Sequence, residues 1–423
     1  MQNTRGVHAP ARRQRSRPGA RAATIAFLLL GFAAAAGAGR LVGLTWNNPS
    51  GGSASTATNW TPNQVPTAND DLTFALANTF SVTFDNLTTA SRSHTYRRGF
   101  VTLTNTAPHS VGTGVTVGDL AGDVATTRLT TGDLTAQGAV VLGDAAGATG
   151  TLRVDDDDAE LILTGSAGDL TVGNNGAGTL AITGGGLVRV GDRFVAGSNS
   201  SGTATVTVSG RLGGPPFTRS TLEVEGTSQA AAIGAGGDVS MTVTDGGLAS
   251  YSGSVNVAQG SLSVSTLTIG GGGAFATAEV GGDLGIARNS SAGSAAGFGV
   301  VQVDQGGVLQ VAGTINVGND PDGGTAFLRM DTGASITTGS LAVGANGEFD
   351  LDGGFLSVDG GAFSYAHPSI PLLLAGPDGP ELRLENGAAA SLDGVVSGEA
   401  IVVGGRVGAN AGTLTVLSGA DLT

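Results

Sequence analysis

The sequence predicts an all-β protein, a right-handed parallel β-helix (β-solenoid) entered through an N-terminal cap segment. Three observations carry that expectation. Short runs alternate apolar and hydroxyl residues, as in Thr203-Ala204-Thr205-Val206-Thr207-Val208, where Ala204, Val206 and Val208 share one face and the threonines the other. Such period-two runs bounded by Gly and Asn are strands. Glycine supplies 74 of the 423 residues with no triplet period, so it marks turns and excludes helix, where each interior glycine costs about 1 kcal/mol. The third observation is that one phrase recurs along the chain, and a unit of that size can bury its apolar face only against a copy of itself.

The chain opens on a leader, residues 1–38. Arg5, Arg12, Arg13, Arg15, Arg17 and Arg21 precede an apolar run from Ala22 to Ala35, and Ala36-Gly37-Ala38 fits a small-residue cleavage site. This is the pattern of a secretory signal peptide, with an uncleaved N-terminal anchor as the alternative. The sequence contains no lysine, so its 20 basic residues are all arginine. Removing the leader takes six of them and none of the 34 acids, leaving 14 against 34, a net charge of −20. A surface of that sign repels phosphate backbones and anionic membranes, which argues against nucleic-acid binding. Cysteine is absent, which excludes disulfides and thiolate metal sites.

Residues 39–110 differ from the rest of the chain. Both tryptophans are here, in Thr45-Trp46-Asn47-Asn48-Pro49 and Asn59-Trp60-Thr61-Pro62, along with strand-like runs at 70–74 and 81–85. The end of a repeat stack must be covered, and Trp46 and Trp60 are expected to cover the first rung; a sugar platform built on the tryptophans is the alternative. Solenoid repeats are expected over residues 111–361. Their landmarks include Leu142-Gly143-Asp144, Val172-Gly173-Asn174, Val195-Ala196-Gly197, Ile286-Ala287 and Val317-Gly318-Asn319. Three short strands per coil, each paired with its equivalent one coil on, give a rise of about 4.8 Å per coil and a rod of roughly 55–60 Å for about a dozen coils. Asn at the recurring corners is expected to take the left-handed conformation. Pro368, Pro371, Pro377 and Pro380 make 362–385 an interruption, edge or junction. A further repeat, residues 386–423, stops in mid-phrase at Ser418-Gly419-Ala420-Asp421-Leu422-Thr423.

The stretch Val172-Gly173-Asn174-Asn175-Gly176-Ala177-Gly178-Thr179-Leu180-Ala181-Ile182, continuing to Leu187, resembles the repeat associated with type V secretion and PEP-CTERM proteins. Similar copies start at Leu142, Val195, Val317 and Val407. The opening Trp46, Asn59-Trp60, Val65-Pro66, Asp70-Asp71 and Phe74 resembles the segment that precedes such repeats in bacterial surface proteins. The resemblance implies an exported, autotransporter-passenger-like solenoid at the cell surface with no general catalytic motif. It also implies a C-terminal barrel or sorting anchor, neither of which is legible in residues 386–423.

Candidate chemistry is sparse. Asp155, Asp156, Asp157, Asp158 and Glu160 form the densest charge cluster. Unpaired burial would be costly, so a bulge or solvated turn is expected; hard carboxylate oxygens make calcium the candidate ligand there. A carbohydrate-active β-helix enzyme, lyase or glycosidase, is the competing class, and Arg128, Arg153, Arg189 and Arg193 are its available cations. Arginine is a poor base at its ordinary pKa. No Gly-x-Ser-x-Gly elbow is present. His94, His109 and His367 are far apart in the sequence, and Ser93-His94-Thr95-Tyr96-Arg97-Arg98 reads as the outer face of a cap strand. The expected role is structural or adhesive, without catalysis or cofactor. Extracellular glycan, matrix or a neighbouring cell surface would be the partner, and hydroxyl-rich faces would make many weak contacts.

Overall fold

The computed structural model describes residues 41–210, 218–260, 262–288, 297–319, 324–368, 372–376, 381–385, 388–391, 401–403, 410–411, 413–416 and 421–422. The leader at 1–38 lies outside these residues, as do Val407 and most of the terminal 418–423. The described chain is all-β. Its single helical turn among the described residues is Ala57–Asn59, and no helix there is long and apolar enough to cross a membrane.

The strands stack in a solenoid-like coil. Thr149–Asp155 pairs in parallel with Ala177–Thr183, which pairs with Thr203–Ser209, then Asp238–Thr244, then Val264–Ile269. Ala139–Leu142, Leu170–Val172, Phe194–Ala196 and Ala231–Ile233 make a second stack. Ala159–Leu163, Leu187–Val190, Thr221–Val224 and Leu248–Tyr251 make a third. Each strand thus meets the third strand after it, which is how a coil of three short strands satisfies its backbone groups without hairpins.

Period-two alternation decides which side chains enter the core. Leu152, Leu180, Val206, Met241 and Leu267 stand in register and are all buried. The ladder Val154, Ile182, Val208, Val243, Ile269 runs beside it. Each such side chain contributes roughly 1.5–3 kcal/mol by leaving water. Corners turn on glycine. Gly173 has φ +70°, and a Cβ there would run into the carbonyl oxygen of Thr203 on the next coil.

Asparagine does not share that work. Among the described residues the non-glycine positions with positive φ are Asp156, Asp245, Ala258, Leu262 and Ala287. The corner asparagines instead bond along the stack. Asn174 Nδ2 donates to Asp144 Oδ1 at 2.7 Å, and Asn199 Nδ2 to Asn174 Oδ1 at 3.0 Å. The recurrence of Asn therefore reflects a side-chain ladder between coils rather than backbone tolerance.

Parallel stacking begins well before residue 111. Gly43–Trp46 pairs with Asp71–Phe74, which pairs with Ala90–Tyr96 and then with His109–Val117. One antiparallel contact, Trp46 opposite Trp60, lies at the start of the stack. Stacking also runs through 362–385, where Ala362–Tyr365, Leu372–Gly376 and Glu381–Glu385 pair in parallel with Ser335–Val343, Gly347–Leu351 and Phe355–Asp359. Pro371, Pro377 and Pro380 lie outside the described residues; Pro368 follows the strand end at Tyr365 and withdraws no donor from a ladder.

Candidate functional site

The acidic cluster is split by the strand ends that carry it. Asp155 ends the strand Thr149–Asp155 and faces two arginines brought into register on the same column, Arg128 and Arg153. Arg128 donates to its carboxylate at 2.6 Å, Arg153 lies at 3.6 Å, and Thr183 Oγ1 donates at 2.8 Å. Burial raises the Asp155 pKa and is outweighed by the Thr183 and Arg128 bonds, so the net shift is downward. Asp156, Asp157 and Asp158 form the exposed turn before the next strand, with Asp156 at φ +137° accepting the Asp157 N–H at 2.9 Å. Hydrogen bonding to Asp156 comes first among the causes that raise the Asp157 pKa. Glu160 belongs to the strand Ala159–Leu163, beside the column of Arg189. Among the described residues no three His, Cys, Asp or Glu side chains gather closely enough to hold a metal ion.

The other candidate cations are also engaged. Arg189 Nε donates to Glu223 at 2.9 Å and lies 3.5 Å from Glu225, and Arg193 Nε donates to the Ala230 carbonyl at 3.3 Å. Both tryptophan rings are fully buried, edge-to-face at 5.0 Å. Their N–H groups donate to the carbonyls of Asn48 and Ala54. Neither ring is available to stack on a ligand.

Residues 93–98 do not lie on an outer face throughout. His94 and Tyr96 point into the core, and His94 lies against His109 from the neighbouring coil, Nε2 to Nε2 at 3.2 Å. Three further contacts complete a chain: Tyr96 Oη to His94 Nδ1 at 3.0 Å, His109 Nδ1 to the Thr88 carbonyl at 2.6 Å, and Ser91 Oγ to His109 Nε2 at 3.1 Å. Because the carbonyl can only accept, His109 carries its proton on Nδ1 and offers Nε2 as acceptor. His94 then donates from Nε2 and accepts the Tyr96 hydroxyl at Nδ1. Both imidazoles are satisfied in the neutral state. Burial, followed by the neighbouring His109, holds His94 well below the ordinary imidazole value. Burial brings His109 down to about 4, partly opposed by its bond to Thr88. Phe84 and Phe74 pack on this pair.

Sequence reasoning missed this cluster because the two histidines are 15 residues apart and meet only through coil-to-coil register. The alternation in Ser93-His94-Thr95-Tyr96 was the available signal, since it places both rings on one side of a strand.

Outward positions form the remaining surfaces. Thr151, Thr179, Thr205, Ser240 and Thr266 stand in one column, and Thr207, Thr242 and Thr268 in the next, with no register shift among these pairings. On another face the column Ser250, Glu279, Gln310, Thr337 lines a groove of about 570 Å³. Comparison with family models, curated proteins and solved structures finds no match in any of the three.

Proposed function

We propose that this chain is an exported, surface-displayed parallel β-solenoid of right-handed coil that works by structure and adhesion rather than catalysis. Its first strands and buried tryptophan pair would act as the N-terminal cap. The observation that carries this reading is the hydroxyl column Thr151, Thr179, Thr205, Ser240 and Thr266, flanked by Thr207, Thr242 and Thr268, a stiff array of weak hydrogen-bonding groups with no charged side chain in its two columns from Thr179 to Thr268. Many such groups held at fixed spacing suit multivalent contact with an extended matrix or a neighbouring surface. The leader-like N-terminus and the likeness of Val172–Leu187 to the type V secretion and PEP-CTERM-associated repeat support export. Arg128, Arg153, Arg189 and Arg193 are engaged by neighbouring acceptors and His94 and His109 are neutral and buried, so these groups serve structure, which favours adhesion over a lyase or glycosidase.

Intact mass and cell fraction of the native protein test the proposal. A chain cleaved near Ala38 and recovered from the outer surface or medium is expected. An uncleaved chain confined to the cytoplasm would overturn it.

A further inference from the structure

We propose that the groove lined by Ser250, Glu279, Gln310 and Thr337 is a binding site for a neutral glycan chain lying along the stacking axis, an inference that rests on the adhesive reading above. The four side chains stand in register on successive coils, so they recur every 4.8 Å or so and together span about 14 Å. An extended peptide advances only about 3.4 Å per residue and would fall out of step with them. A sugar chain whose units each extend about one strand spacing meets one hydrogen-bonding side chain per unit.

The wall chemistry selects further. Ser250 Oγ donates to Glu279 Oε2 at 3.3 Å, which orients a carboxylate that still has acceptor capacity for sugar hydroxyls. Gln310 and Thr337 are exposed and offer both donors and acceptors. The groove's lining contains no cation, and its one charge is the acid Glu279, so an acidic polysaccharide is disfavoured. Tyr251 borders the groove, but its ring is buried, with the hydroxyl 3.4 Å from Met241 sulfur, so no aromatic face invites a lipid or aromatic ligand. Gly281 and Ala312 carry little or no side chain and so leave the room that the groove occupies, next to the register shift between Val311 and Thr314. On the amino-terminal side the same column is closed by Glu223, held by Arg189. On the other side Ser357 follows Thr337 and is covered. The site is thus bounded at about four sugar units, one for each side chain.

The test is calorimetric titration of the full chain with cello-, laminari- and chito-hexaose at millimolar concentration, with oligogalacturonate as the acidic comparison. Saturable binding of at least one neutral hexamer is expected, with none of the acidic one. Gln310→Ala should weaken it severalfold, the loss of one hydrogen-bonding side chain, and Ala312→Trp, which fills the exposed corner, by roughly tenfold or more. Unchanged thermal midpoints for both variants would show that the fold is intact. No saturable binding by any neutral hexamer, preference for the acidic one, or binding that Ala312→Trp leaves untouched would overturn the assignment. Cell fraction separates the two proposals: a chain displayed at the surface that binds no neutral hexamer refutes the groove alone, whereas a wild-type chain retained inside the cell refutes the adhesive reading.

Discussion

Acidification should loosen the first coils of this protein at a pH where its carboxylates are still ionised. His94 and His109 are neutral and buried in the folded chain, while in the unfolded chain each takes a proton near the ordinary value of 6.5. Their folded pKa values are lowered, so the stability they permit is complete above about pH 6.5 and is lost as pH falls, because the unfolded state binds more protons. Each histidine contributes a slope of about 1.4 kcal/mol per pH unit. For His109 the loss continues until its folded site titrates at about 4, in total about 3 kcal/mol. His94 adds a contribution of the same sign. Asp71 and Asp155, whose pKa values are lowered, act only at or below the ordinary carboxylate value of 3.8. Asp119 and Asp169, raised mainly by burial, act with the opposite sign and do not mimic the effect.

The assay is urea unfolding followed by tryptophan fluorescence at about pH 7, 6 and 5. Trp46 and Trp60 are the only tryptophans, and both lie in these first coils, so the signal reports locally even where the stack does not unfold as one unit. The His94→Gln/His109→Gln variant should be less stable at neutral pH but lose most of the slope between about pH 6.5 and 5. A midpoint in the wild-type chain that is flat across that range, or a slope that the double variant keeps, would refute the proposed neutral pair.

Further outcomes are expected from the packing. Leu180→Ala, in the middle of a buried ladder, should cost about 2–5 kcal/mol by chemical denaturation. Gly173→Ala should destabilise strongly, because both its φ and the Thr203 carbonyl oppose a Cβ; Ala287→Gly, at φ +52°, should stabilise by about 1 kcal/mol, read as a raised melting midpoint. Asp155→Ala should lower stability by about 1 kcal/mol, since Arg128 and Arg153 remain partly solvated, and the loss should shrink in high salt. Millimolar calcium is expected to shift the melting midpoint equally in the wild-type chain and in one with Asp156, Asp157 and Asp158 changed to Asn, because the arginines already hold the neighbouring Asp155. A rise abolished by the triple variant would instead locate a cation in that turn.

The strand type, the identity of the inward positions and the glycine corners were all written in the sequence. Thr203 to Val208 alternates strictly, and Ala204, Val206 and Val208 are buried as that alternation requires. Gly173 marks a corner because only a residue without Cβ fits there. These are local properties, set within a few residues by backbone sterics and side-chain period. The contacts that give the surfaces their chemistry are of another kind. Asp155 belongs with Arg128, Arg189 with Glu223, Asn174 with Asp144 and His94 with His109, each pair separated by between 15 and 34 residues. Which residues face each other across coils depends on the length of every intervening turn, and a change of one residue in a turn would shift an entire column. The sequence therefore determined that the chain would stack, and the tertiary register alone decided which charges are cancelled, which rings are hidden and which polar side chains are left to line a groove.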